Sequence, residues 1–443
     1  MTAHPGTLHP VSGHPGNAFP VIGHPGTAHP RSAGGLSFPP PLGLYLHLPW
    51  CLSKCPYCDF NSHAVQNASG GQERFDRYID ALIADLEGSL PAIWGRTVQT
   101  VFLGGGTPSL FPPEAVGRLL AALRSLVRLQ GAAEVTMEVN PGTFEVERFE
   151  AFRDAGINRL SLGVQSFSDA CLARIGRVHD AAQAIKAAET AIALFDRVNI
   201  DLMYGQPGQR LEDLRRDLDL LATIGAGHAS LYQFTLEPHT WFANRPPREM
   251  PSESLLDDMQ RMIEDTLPAL GLMHYEVSAW ARPSEQCRHN LSVWQFGDYL
   301  GLGAGAHSKI SNHEGIWRQV RTHHPERYMQ GMLHACASAP GEDTRGQAVA
   351  WPRKVAEREL PFEFMLNVLR LRDGVPSAFL PERTGIPVTR INRVVTHAVE
   401  RGLLEADPRI WRATPLGWRF LNDLQTMFLD DGQKVPDRCD MTH

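Results

Sequence analysis

The sequence predicts an α/β fold: an incomplete (β/α)6 barrel, extended by further strands and followed by a small winged-helix-like domain. Two observations predict it. From Leu44 to about Ser311, short apolar runs rich in β-formers alternate with amphipathic stretches of helical period, the pattern of a parallel sheet wrapped by helices. Polar residues also recur near the ends of successive runs, at Glu138, Gln165 and Asp201, inside apolar surroundings where a polar side chain is costly to bury.

Composition sets the outer bounds. The chain has 443 residues, is 43% hydrophobic and 21% charged, and carries a formal net charge of −7. These are the values of a soluble, enzyme-sized protein of two or three domains. Mild acidity gives no reason to invoke nucleic acid, and no apolar stretch is long enough to span a bilayer. A cytoplasmic location is expected. The predicted organisation is a tail over 1–40, the partial barrel with its extension over 41–311, a linker over 312–350, the winged-helix-like domain over 351–430 and a tail over 431–443.

The first forty residues repeat His-Pro-Gly at His4, His14 and His24 and carry almost no charge before Arg31. Too few large apolar groups are present to offset chain entropy, so the segment is expected not to fold. It lacks the basic start and apolar core of a signal peptide. A misassigned start codon would explain it equally well, and no function is assigned to it.

The expected strands follow in order: Leu44 to Leu48, Val98 to Leu103, Glu134 to Val139, Arg159 to Val164, Val198 to Tyr204 and Ala229 to Phe234, with His274 to Ser278 after them. Helices fill the gaps. One shows Phe75, Tyr78, Ile79, Leu82, Ile83 and Leu86 on one face, and another shows Leu211, Leu214, Leu218 and Leu221.

Between the first strand and the first helix lies His47-Leu-Pro-Trp-Cys51-Leu-Ser-Lys-Cys55-Pro-Tyr-Cys58. Three thiolates on one short loop can hold three irons of a [4Fe–4S] cluster, and no fourth cysteine is near. One iron is then left open for a small molecule. A Cys3His zinc knuckle using His47 or His63 is the alternative. Cys171, Cys287, Cys336 and Cys439 are scattered singly, as free thiols of a reducing compartment are.

In folds of this class chemistry collects at the carboxyl ends of the strands. Gly104-Gly105-Gly106-Thr107-Pro108 follows the second strand, where missing side chains let a ligand reach the backbone. A plain tight turn explains it too, and no Gly-Lys-Ser/Thr makes it a phosphate loop. At the next strand ends, the carboxylates of Glu138 and Asp201 can accept from ribose hydroxyls or an ammonium, and the Gln165 carboxamide can do either. Arg177 can clamp a carboxylate.

These residues resemble a known family. The cysteine triplet, Tyr57 before its last cysteine, and Gly105-Gly106-Thr107-Pro108 are marks of radical S-adenosylmethionine (SAM) proteins. Glu138-Val-Asn-Pro, Leu162-Gly-Val-Gln165-Ser-Phe and Asn199-Ile-Asp201-Leu-Met-Tyr-Gly-Gln-Pro are similar to the branch holding oxygen-independent coproporphyrinogen III dehydrogenase and the heme chaperones. The likeness runs from Leu44 through Leu429. It implies a [4Fe–4S] cluster on Cys51, Cys55 and Cys58 whose open iron is chelated by SAM. It also implies that Tyr45, Tyr57, Gly105, Gly106 and Thr107 line that SAM, and that Glu138, Gln165, Arg177 and Asp201 bind a second SAM or extend the pocket. Cluster reduction would cleave SAM to methionine and a 5′-deoxyadenosyl radical.

Phe60 separates the two branch members. The dehydrogenase has a further cysteine two residues beyond the third, whereas this chain reads Cys58-Asp59-Phe60 as the chaperone group does. Tyr232-Gln-Phe-Thr-Leu-Glu237-Pro-His-Thr and His289-Asn290-Leu-Ser-Val-Trp294-Gln-Phe-Gly-Asp298-Tyr-Leu-Gly301 also look like that group. The resemblance implies His289 and Trp294 as heme contacts, a neutral imidazole on iron and an aromatic ring on the macrocycle. On spacing alone His289 reads as a hydrogen-bonded core histidine. The chaperone motif usually has tyrosine where Val293 stands. His307, in a glycine-rich turn, is a lesser candidate.

After Trp351, helical stretches around Val355 to Leu371 and Val388 to Gly402 precede Leu403-Leu-Glu, Trp411-Arg-Ala-Thr and a final helix through Phe428. Twelve Lys/Arg against nine Asp/Glu from Arg353 to Leu429 give weak support for DNA binding. Packing against the barrel or a partner is the favoured use. Two functions remain open: a heme chaperone serving an unidentified acceptor, with respiratory and membrane-associated proteins among the candidates, and a dehydrogenase of porphyrin biosynthesis that decarboxylates coproporphyrinogen III propionates. Whether SAM is turned over stays open.

Overall fold

The computed structural model describes residues 36, 38–65, 71–142, 146–337 and 349–429. Most of the expected N-terminal tail, part of the expected linker and the C-terminal tail lie outside them.

One 12-stranded sheet organises the molecule. Its centre is six parallel strands adjacent in chain order: β1 (Leu42–Leu48), then, past the short β2 (Trp50–Cys51) and β3 (His63–Ala64), β4 (Thr97–Gly105), β5 (Arg128–Val139), β6 (Arg159–Gln165), β7 (Val198–Tyr204) and β8 (His228–Gln233). Each overlaps an expected strand, although β5 begins at Arg128 rather than at Glu134. The expected strand at His274 to Ser278 is instead an antiparallel edge hairpin, β9 (Met273–Glu276) with β10 (Ala279–Ala281), beyond β8. On the other side of β1 lie β11 (Asp298–Leu302), parallel to it, and the antiparallel strands β12 (His307–Asn312), β13 (Gly315–Arg321) and β14 (Val349–Lys354).

Alternation along the strands decides which face carries chemistry. Leu42, Leu44, Leu46 and Leu48 of β1, Val101 and Leu103 of β4, and Leu160, Leu162 and Val164 of β6 join one large core. The helix Gly71–Ile93 contributes Tyr78, Ile79, Leu82 and Leu86 to it, and Leu211–Ile224 contributes Leu214, Leu218 and Leu221. The opposite face holds Thr100, Glu134, Thr136, Ser161, Asn199, His228 and Ser230, all buried. The sheet is curved around this polar face, because residues following β1 through residues of β8 line one cavity.

The region 312–350 is not a linker throughout. It holds β13 and the helix Pro325–Ala337. Arginines obscure the strand in the sequence, yet Arg321 is buried and its guanidinium contacts Asp85 at 2.8–3.0 Å, while Tyr328 donates to Asp85 at 2.8 Å. This cluster ties β13 and the 325–337 helix to the helix 71–93. Residues 338–348 lie outside the described set.

The C-terminal part has its own apolar core, including Phe364, Met365, Leu380, Ala398, Trp411 and Leu424. It contains the helices Leu360–Val368, Phe379–Thr384 and Asn392–Glu400, and a short antiparallel ladder, β15 (Val375–Pro376) with β16 (Ile410–Trp411).

Removing one partner of a buried ion pair strands the other's charge. Asp85→Ala should therefore lower unfolding free energy by roughly 3–5 kcal/mol, read as the urea midpoint of cluster-free protein. Exposed Asp258→Ala, whose arginine partner is also exposed, should change it by less than about 1 kcal/mol.

Candidate functional site

The cysteine loop is closed by short backbone bonds. Trp50 and Cys51 form a parallel ladder with His63 and Ala64, Val65 N–H donates to Cys51 O at 2.8 Å, and Cys58 N–H donates to Cys55 O at 3.1 Å. This folding turns Cys51, Cys55 and Cys58 toward one cavity as free thiols, with Ser53, Tyr57, Phe60 and Ser62 on its wall. Burial raises the Cys51 thiol, against a hydrogen bond from Thr107, and pushes Cys58 up to about 11, against one from Ser62. Thiols held this way ionise when a cation takes the proton's place.

The donor set is three soft sulfurs, and the two histidines proposed for a zinc knuckle are engaged elsewhere. His47 Nδ1 meets Tyr45 OH at 3.1 Å and Nε2 meets Asn61 O at 2.9 Å, while His63 Nε2 meets Asn61 Oδ1 at 3.2 Å. Among the described residues no three His, Cys, Asp or Glu side chains close around a single-ion site. Three sulfurs facing an open cavity fit a cluster better than a lone zinc.

The expected strand-end residues Glu138, Gln165 and Asp201 line the same cavity, with Arg177, which follows the helix Asp169–Arg174, and with Gly105, Gly106 and Thr107. Glu138 accepts from Gly105 N–H at 3.1 Å. Burial, aided by repulsion from Asp201, pushes its carboxyl up to about 7. Asp201 accepts from Asn199 at 2.8 Å and Ser161 at 3.2 Å. Gln165 sits at φ +69° beside a register shift in the β6–β7 pairing, and its buried Oε1 has no hydrogen-bond partner. A bulge that re-aims a side chain next to a site is a recurring device, and the orphaned oxygen is an acceptor waiting for a ligand N–H or O–H.

The glycine run lines the cavity and also makes the tight turn that the sequence allows. An added Cβ at Gly105, whose φ is +111°, would stand 2.5 Å from the His47 ring, and one at Gly106 would stand 2.7 Å from Pro49 backbone. Gly106 N–H donates to Leu48 O and Thr107 N–H to Trp50 O, both at 2.8 Å. The glycines let the turn after β4 press against the chain entering the cysteine loop. Tyr45 lies deeper than the cavity wall, stacked on Phe102 with ring centroids 6.2 Å apart. Asn140, Ser161 and Tyr232, the last of these the first residue of the Tyr232-Gln-Phe motif, also line the cavity. Asn140 stands inside the Glu138-Val-Asn-Pro motif, and inward alternation on β6 is the signal available for Ser161.

Comparison with known proteins fits this geometry. The chain is 41% identical over 392 residues to the heme chaperone HemW of Escherichia coli K12, covering 88% of this chain and 98% of that one. It is 38% identical over 394 residues to the Haemophilus influenzae heme chaperone HemW, covering 88% and 99%. The chain belongs to the heme chaperone HemW family. Residues 45–221 of this HemW-family chain match the radical SAM superfamily model, and 355–420 match the HemN C-terminal domain. In fold it resembles the E. coli coproporphyrinogen III oxidase HemN, described as a radical SAM enzyme, with a TM-score of 0.72, 23% identity and coverage of 88% of this chain and 90% of that one.

The structure does not bring His289 and Trp294 of this HemW-family chain onto one surface. Both belong to the short helix Arg288–Trp294. His289 is buried on the inner face of the sheet, its Nδ1 2.8 Å from Thr100 Oγ1 and its ring 5.2 Å from that of Phe102. Trp294 enters the C-terminal core, under the Arg370 guanidinium at 4.2 Å. Its neighbour Val293 packs at the edge of that core. His307 begins β12 and is half-buried.

The raised Glu138 carboxyl fixes a pH dependence. Its folded value, about 7, exceeds the ordinary unfolded value near about 4.3. The neutral form therefore contributes stability that is lost as pH rises through about 7. Glu138→Gln should raise the urea midpoint of cluster-free protein at pH 8.5 and change it little at pH 4.5. An equal effect at both would contradict the assignment.

Proposed function

We propose that this chain is a heme chaperone that carries a [4Fe–4S] cluster on Cys51, Cys55 and Cys58, holds SAM in the adjoining cavity, and delivers heme to an acceptor protein. The near-full-length identity to proteins named heme chaperone HemW carries the reading. The cavity supports it, since three thiols, an orphaned Gln165 oxygen and two carboxylates meet in one space.

When bound, the cluster would offer one iron not held by cysteine, open to chelation by the amino and carboxylate groups of SAM. The chain's own groups hold the rest of that molecule. Asp201 and Glu138 accept from hydroxyl or ammonium donors, and Gln165 Oε1 takes a further hydrogen. Tyr57 and Gly105 to Thr107 form the wall beside the sulfurs. Phe60 puts an apolar ring into the cavity wall at the place where the dehydrogenase pattern would put a fourth thiol.

For heme we retain His289 as the proposed ligand. In this conformation its ring is enclosed, so iron would reach it only if the helix Arg288–Trp294 moved away from Thr100. That movement would also draw Trp294 from the C-terminal core. Binding of heme is thus proposed to be coupled to the contact between the barrel and the C-terminal domain.

The test runs two assays on one anaerobic preparation. Cys51→Ala should lose iron and sulfide; a colourless zinc protein in the wild type would refute the cluster. With reductant, SAM and coproporphyrinogen III, no protoporphyrinogen should form, and robust turnover would establish the dehydrogenase instead. Heme titration should give a one-to-one complex whose visible spectrum changes in His289→Ala. An unchanged spectrum removes His289 as ligand while leaving the chaperone function standing.

A further inference from the structure

Arg177 reaches the cysteine loop as well as the cavity. Its side chain is half-buried, and Nη2 donates to Asn140 Oδ1 and to Gly163 O, both at 2.7 Å. Those two bonds aim Nη1 at Cys55 Sγ, 3.6 Å away. The same guanidinium is hydrogen-bonded to Tyr57. Asn140 in turn donates through Nδ2 to Thr107 Oγ1 at 2.9 Å, and the Thr107 side chain is hydrogen-bonded to Cys51. One line of side chains, Thr107–Asn140–Arg177, therefore touches two of the three thiols. The Arg177 backbone is fixed too: its N–H donates to Leu172 O at 3.0 Å, and the preceding Gly176, at φ +71°, leaves room for Pro56, which would lie 2.7 Å from an added Cβ. The sulfur contact is thus held from several sides.

A cation and an N–H donor at a ligating sulfur stabilise the more negative, reduced state of an iron–sulfur cluster, and so raise its reduction potential. We propose that Arg177, positioned by Asn140, sets the reduction potential of the cluster carried by this loop through an N–H···S bond to Cys55. This rests on the cluster reading above and gives Arg177 a role separate from clamping a ligand carboxylate. The step it governs is a one-electron reduction of the oxidised [4Fe–4S] cluster, with dithionite as the reductant in vitro. Asn140 is a positioning residue: it touches the sulfurs only through Arg177 and Thr107.

The experiment is a redox titration of the full-length reconstituted protein without SAM, following the signal of the reduced cluster by electron paramagnetic resonance, with iron and sulfide measured on every sample. Arg177→Gln should shift the midpoint to more negative potential. Asn140→Ala, which keeps the charge but frees it, should shift it the same way by less. Arg177→Lys should fall between Arg177→Gln and the wild type. Midpoints equal to the wild type at equal iron content in Arg177→Gln and Asn140→Ala would overturn the proposal. A shift in Arg177→Gln with Asn140→Ala and Arg177→Lys both at the wild-type value would reduce it to a charge effect and overturn the fixed N–H···S bond. Loss of iron from all three would show that the network builds the site instead of tuning it, which also overturns the proposal. Failure of the wild type to take up four irons would instead defeat the cluster reading itself.

Discussion

Burying polar side chains on the inner face of a parallel sheet is the constraint on which the rest of this structure depends. A parallel sheet covered on both faces usually carries near-continuous apolar strands. Here the outward positions are apolar, and the inward ones must satisfy each other. Asn199 donates to Ser161 and Asp201 at 2.8 Å and, through Oδ1, meets His228 Nδ1 at 2.6 Å, while His228 Nε2 meets Tyr275 OH at 2.8 Å. Burial keeps His228 neutral, well below its usual range. The network closes one end of the inner face and leaves the strand carboxyl ends open for a ligand.

At that open end, precision comes from backbone more than from side chains. The cysteine loop is pinned by its ladder to His63–Ala64 and by the glycine turn after β4, whose missing Cβ atoms permit contact with Pro49 and His47. Asn140, just past the end of β5, and Arg177, beyond the helix Asp169–Arg174, then fix the sulfur side. The result is a rigid rim around the thiols in a chain whose ligand would be held mainly by β5 to β8.

Much of this was legible because it follows from short-range periodicity. The six parallel strands were visible as β-rich runs separated by helices, and Glu138, Gln165 and Asp201 stood out as polar residues at their ends. Lost to the sequence were arrangements made by long-range pairs. β13 was hidden because Arg318 and Arg321 interrupt its apolar pattern, and only partners far along the chain, Glu363 and Asp85, make their burial tolerable. Asn140 was inconspicuous beside Glu138 because its importance lies in Arg177, 37 residues away. The glycine run signals either ligand contact or a tight turn in the sequence, and only the fold shows that the turn presses on His47 and Pro49.

His289 and Trp294 show how one short helix can join two cores. Glu134 on β5 accepts from the backbone N–H groups of Arg288 and His289 at 3.1 and 3.0 Å, and is itself paired with Arg197 at 2.6 Å. That carboxylate holds the helix start against the inner face of the sheet. Further along, the same helix gives Leu291, Val293 and Trp294 to the C-terminal side. Any ligand that takes His289 from Thr100 must work against the Glu134 anchor and the Trp294 packing together. If heme binds His289 as proposed, the opposition to its entry would come from the contact between the two parts of the chain as well as from the histidine's own hydrogen bond, and an acceptor that engages the C-terminal domain would have leverage on both.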